Sequence, residues 1–133
     1  MVGLVVATHG NLGAEFLASA QMIIGPVRNA RAVSITQDSS MEDIRDAIAA
    51  AVAEVGTDKD GVIIVTDMFG GTPANVSMIF LEPQLVEVLT GVNLPMLLKF
   101  FNSQESLALD ELAEILKSYG QQSIALASEY LQR

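Results

Sequence analysis

Short runs of branched apolar residues alternate along this chain with segments whose apolar residues recur every three or four positions. Residues 2–8 form the first run, apolar up to its closing threonine, which predicts a strand buried on both faces. Leu12, Phe16, Ala20 and Ile23 follow at helical spacing, and Gly25-Pro26 ends that helix. Ala30–Ile35 predicts a second strand. Ser39 and Ser40, followed by Glu42 and Asp43, have the character of a capping box and open a helix through about Glu54, stopped near Gly56. Residues 61–66, with Val62-Ile63-Ile64-Val65 at their centre, predict a third strand.

Thr72 is placed to cap the next helix, which has Pro73 at its first position and continues through Met78 to about Leu81. A fourth apolar run, 85–89, closes at Thr90-Gly91, and Pro95 opens a short helix through Phe101. Residues 110–119 are amphipathic through Leu112, Ile115 and Leu116, with Gly120 behind them. The tail, 121–131, fits a strand starting at Ser123-Ile124-Ala125-Leu126 or a helix through Ile124, Ala127 and Leu131; the strand start is the expectation adopted.

Alternating strands and helices predict an α/β fold, a doubly wound and mainly parallel sheet with helices on both faces. With right-handed crossovers the simplest strand order is 2-1-3-4. That order makes strands 1 and 3 neighbours and puts a switch point between their C-terminal ends, where such folds place ligands.

Both ends carry chemistry. The first strand runs into Thr8-His9-Gly10 and the third into Thr66-Asp67-Met68-Phe69-Gly70-Gly71-Thr72-Pro73. Adjacent strands in similar register bring His9 and Asp67 together. A carboxylate beside the ring accepts one imidazole N–H, fixes the tautomer and leaves the other nitrogen as a nucleophile. Gly10, Gly70, Gly71 and Thr72 supply flexible backbone and a hydroxyl at a helix start, where an anion is favoured. Core packing is the expected role of Met68, Phe69 and Met96, with a docking rim as the alternative.

Composition narrows the chemistry. The chain has 133 residues, half of them hydrophobic, which suits one compact domain spanning 1–133. Its formal charge is −9, which argues against nucleic-acid partners. No Lys or Arg precedes Arg28 or lies between Lys59 and Lys99, so both candidate stretches lack a cation in sequence. Without cysteine, and with one histidine, a zinc site is not expected, and no cofactor is called for. The Gly-Lys-[Ser/Thr] element of a nucleotide-binding loop is missing. No apolar run is long enough to span a bilayer and no basic leader precedes the first strand, so a cytoplasmic protein is expected. What remains is a weak, cation-poor cradle for one phosphoryl group, suited to carrying it transiently.

Three motifs occur in order: Val5-Val6-Ala7-Thr8-His9-Gly10, Thr66-Asp67-Met68-Phe69-Gly70-Gly71-Thr72-Pro73-Ala74-Asn75, and Thr90-Gly91-Val92-Asn93-Leu94-Pro95-Met96-Leu97. With their spacing, they make essentially the whole chain resemble the enzyme IIA domain of the mannose family of the sugar phosphotransferase system. The resemblance implies that His9 accepts a phosphoryl group from phosphorylated HPr and passes it to a histidine of enzyme IIB. It implies that Asp67 pairs with His9 and that Thr72 lies near the phosphoryl group. It further implies a homodimer formed by exchanging a C-terminal antiparallel strand, with the membrane involved only through permease subunits. Some transporter members carry Trp where this chain has Asn11 and Phe69. The chain ends at Arg133 with no IIB domain following, which implies a separate subunit. Two rival readings are a receiver-type domain phosphorylated on Asp67 and a non-catalytic binding module of the same fold.

Overall fold

The computed structural model of the protein describes residues 1–131. Four parallel strands, β1 (Gly3–His9), β2 (Ala30–Ile35), β3 (Val62–Thr66) and β4 (Val86–Thr90), form one sheet in the order β2-β1-β3-β4. The expected 2-1-3-4 order is the observed one. Helices α1 (Leu12–Ile24), α2 (Met41–Val55), α3 (Thr72–Ser77), α4 (Leu94–Ser103), α5 (Leu109–Gln122) and α6 (Ala127–Leu131) follow in chain order.

Central strands buried on both faces need near-continuous apolar runs, and β1 and β3 have them in residues 4–7 and 62–65, each closed by a buried threonine. Leu4 and Val6 pack with Ile63 and Val65 against Leu97, Phe100, Leu112 and Leu116 of α4 and α5, joined by Phe16 and Leu17 of α1. Val5, Ala7 and Ile64 point the other way, onto Ile44, Ile48 and Val76 of α2 and α3. The alternation of side chains along a strand thus builds two apolar layers from one sequence run.

Helix boundaries follow local chemistry. Ser40 caps α2, its side chain accepting the Asp43 N–H at 3.0 Å. Gly25, at φ 86°, ends α1 in a backbone conformation that favours glycine. Asn93 caps α4 by accepting the Met96 N–H at 3.0 Å and also donates from Nδ2 to the Gly120 carbonyl at 2.9 Å. The third motif therefore ties α4 to α5.

Four expectations are corrected. The helix after β3 is shorter than expected: α3 passes at Met78–Phe80 into a single 3-10 turn. Gly120 lies inside α5 instead of ending it, where it packs closely on α4: an added Cβ would fall 2.8 Å from Met96 Cε. Leu12 and Ile23, although at helical spacing, are exposed at the two ends of α1.

The fourth correction concerns the tail. The strand start expected at Ser123 is absent among the described residues: α5 ends where Ser123 donates both its N–H and its hydroxyl to the Tyr119 carbonyl, and α6 follows. A strand exists only with a ladder partner, and within the chain 123–126 have none. No helix of the described residues is long and apolar enough to cross a membrane.

Candidate active site

The register of the two central strands assembles the site. Ala7 pairs with Thr66, so His9 stands two residues beyond the last β1–β3 pair and Asp67 one residue beyond it. Asp67 Oδ2 accepts the His9 backbone N–H at 3.1 Å and lies 2.8 Å from His9 Nδ1. A carboxylate oxygen accepts and does not donate, so Nδ1 carries the proton and Nε2 presents its lone pair. The His9 side chain is about half exposed, at 51%, whereas that of Asp67 is at 13%. The imidazole ring faces outward and the carboxylate beside it is sheltered.

Asp67 Oδ1 is buried without a hydrogen-bond partner among the described residues. Among the described residues the carboxylate thus places its bonds on His9 alone, and no Lys or Arg pairs with it. The end of β3 that carries it is braced from the next loop. The Thr66 carbonyl accepts N–H groups from both Gly91 and Val92, each at 3.0 Å.

His9 is held on its other side by the turn behind it. Gly10 adopts φ 55° and donates its N–H to the Ile35 carbonyl at 2.8 Å, fastening the turn to β2. Gly71 faces the ring directly: a Cβ at this position would meet His9 Cε1 at 2.9 Å and Nε2 at 3.4 Å. Glycine here leaves room for the ring and for whatever Nε2 binds. Gly70, at φ 85°, makes the turn that brings Gly71 to that place.

Thr72 is not the helix cap. Gly71 takes that role, with extended backbone and a carbonyl that accepts the Asn75 N–H at 2.9 Å, and Thr72 is the first helical residue. Thr72 is thus not tied up as a cap and lines a cleft that His9 also lines. This cleft, about 610 Å³, has Gly10, Ile35, Thr36, Gln37, Ser39, Met41 and Ile44 as its other walls.

The structure therefore brings His9, Asp67, Gly10, Gly71 and Thr72 together, while Gly70 shapes the loop without touching the ring. The polar wall formed by the segment after β2, Thr36, Gln37 and Ser39, escaped the reading of sequence. Its one legible signal was position, since β2 ends on the same sheet edge as β1 and β3. Met96 is buried as expected, but Met68 and Phe69 are 53% and 74% exposed, which overturns their expected core role. Met41, at 58%, adds an exposed apolar side chain from the opposite wall.

A match to a family of known proteins covers residues 3–117 and is described as the PTS system fructose IIA component (EIIA-man). The fructose-specific EIIA component of Bacillus subtilis is 31% identical over 134 residues, spanning 100% of this chain and 91% of that one. The mannose-specific EIIAB component of Escherichia coli K12 is 28% identical over 125 residues, covering 92% of this chain but only 38% of that longer protein. Among solved structures, component EIIA from Streptococcus agalactiae superposes with a TM-score of 0.87 at 26% identity, over 97% of this chain and 99% of that one. The mannose/sorbose-specific IIA subunit from Enterococcus faecalis does so with a TM-score of 0.80 at 32% identity, over 93% and 92%. With its sheet order, its site at the switch point and these likenesses in agreement, the chain belongs to the EIIA-man family and serves phosphotransfer in the sugar phosphotransferase system.

Proposed function

We propose that His9 is the phosphoryl carrier: Nε2 accepts a phosphoryl group from phosphorylated HPr and passes it to a histidine of enzyme IIB. The observation that carries this reading is the 2.8 Å contact between His9 Nδ1 and Asp67 Oδ2, which turns Nε2 outward as the free nucleophile. In the first transfer the Nε2 lone pair forms the new N–P bond, and the bond from phosphorus to the donor's histidine nitrogen breaks, its electron pair staying with the donor. The His9 ring keeps its Nδ1 proton and becomes cationic, and Asp67 offsets that charge. The second transfer reverses these changes onto enzyme IIB.

Thr72 and the first-turn amides of α3 are the groups nearest to hand for the phosphoryl oxygens. Gly10, Gly70 and Gly71 serve them through backbone shape. Without Lys or Arg in the cleft lining, the group is held weakly, as a carrier requires. Catalysis is then chiefly positioning, and the reaction calls for neither metal nor cofactor.

The exposed Met68 and Phe69 beside the cleft form an apolar rim for the protein partners. We further infer a cytoplasmic protein acting as one phosphocarrier domain over 1–133 and pairing with a second copy of itself. The outer edge of β4 and the exposed Ile124, Leu126 and Leu131 support that pairing. Sedimentation velocity tests it by showing a two-chain species that dissociates on dilution.

The relay is tested by loading the chain from labelled phospho-HPr and adding enzyme IIB. Label passing to enzyme IIB through the wild type but not through His9→Ala supports the reading. Direct transfer that ignores the chain refutes it. The receiver alternative is separated by stability: a phosphohistidine survives alkali and is lost in acid, whereas an acyl phosphate on Asp67 is lost in strong alkali.

A further inference from the structure

We propose that Thr8 is a positioning residue for His9, acting through a clamp that closes the turn bearing the histidine. Thr8 is fully buried, and its Oγ1 accepts the Gly13 N–H at 2.8 Å. Gly13 is the second residue of α1, one of the first-turn donors that no intrahelical carbonyl satisfies. Asn11, at the capping position, makes no side-chain cap bond, so the strand supplies the cap that the turn does not. The bond joins residues five apart and encloses His9, Gly10, Asn11 and Leu12 in a short loop.

Packing shows how closely the clamp is built. A Cβ on Gly13 would fall 2.7 Å from the Val6 carbonyl oxygen and 3.3 Å from Thr8 Oγ1, so α1 begins in direct contact with β1. The far side of the loop is fixed by the Gly10 N–H on the Ile35 carbonyl, and its near side by the His9 N–H on Asp67. Thr8 is thus one of three anchors on the turn that bears His9. The anchor on Asp67 is also the one that sets the ring tautomer. Valine at position 8 keeps the shape of threonine but leaves the Gly13 N–H buried without an acceptor. The first turn of α1 then draws away, and the His9 backbone moves relative to Asp67.

A cap that merely stabilised α1 would alter stability and nothing else, so the test reads the ring itself. The ¹⁵N shifts of His9 are recorded on the free protein, at a pH where the ring is neutral, for wild type, Thr8→Val, Thr8→Ser and the remote core variant Ile48→Val. Thr8→Val is expected to move the shifts from the Nδ1–H form toward a mixture of tautomers, and Thr8→Ser to restore them. The consequence for function rests on the carrier reading: phosphoryl transfer falls about tenfold in Thr8→Val, in keeping with the sensitivity of positioned reactions to small displacements. Wild-type ring shifts in Thr8→Val, or changes no larger than in Ile48→Val, overturn the proposal and leave Thr8 as a cap alone. Should Thr8→Val not fold, Thr8→Ala is read in the same way. Because the shifts need no phosphoryl donor, they decide the role of Thr8 even if the wild type accepts no phosphoryl group.

Discussion

Two substitutions beside His9 separate orientation from space. Asp67→Asn keeps the shape of the side chain, but its amide can donate to Nδ1 and so favours the wrong tautomer. It is expected to lower the rate of phosphoryl transfer by roughly tenfold or more, measured by rapid quench with phospho-HPr as donor. Unchanged transfer removes Asp67 from the mechanism. Gly71→Ala acts differently. Gly71 has φ −89°, which alanine adopts without strain, so its cost falls on the ring 2.9 Å from the new methyl group. The expected result is impaired transfer with a melting temperature close to that of the wild type. The pairing of His9 with Asp67 was legible in sequence because both follow neighbouring strands. The contact of Gly71 with the ring was not, since paired glycines before a helix read equally well as a turn.

At the scale of elements, caps and ties decide where helices start and how the loops around the site are held. Ser40→Ala removes the α2 cap and is expected to cost about 1 kcal/mol, seen as a lower urea midpoint with transfer largely kept. Asn93→Ala breaks two bonds, one within α4 and one to α5, and leaves the Gly120 carbonyl unpaired. It should cost about 1–3 kcal/mol by the same measurement. The Ser40 cap was readable because Ser followed by acidic residues is a local signal. The Asn93 bond to Gly120 joins residues 27 apart, and no local pattern announces it. Thr72 was misplaced by one residue for a related reason. Glycine, with its extended backbone, took the cap, and Thr72 became the first helical residue, on the lining of the cleft.

On the scale of the whole molecule, the sheet rests on two apolar layers, and the layer under α4 and α5 carries its largest buried side chain, Phe100. Leu116→Ala, in the same layer, should destabilise the fold by about 2–5 kcal/mol. Thermal unfolding followed by circular dichroism checks this, with ring shifts of His9 near wild type in whatever fraction stays folded. Strand order was legible because alternating strands and helices joined by right-handed crossovers leave few arrangements, of which 2-1-3-4 is the simplest. The tail was not. Residues 123–126 have the composition of a strand, yet among the described residues they find no ladder to join, and Ile124, Ala125 and Leu126 lie exposed. Among the described residues no Lys or Arg lines the cleft, in keeping with the proposed weak hold on a phosphoryl group.

The central claim, that His9 carries the phosphoryl group, is met most directly by the intact mass of the protein after brief exposure to phosphorylated HPr. The account predicts the mass gain of a single phosphoryl group in the wild type, absent in His9→Ala and lost on acidification. No gain in the wild type with its cognate donor, or a gain that persists in His9→Ala, would contradict it.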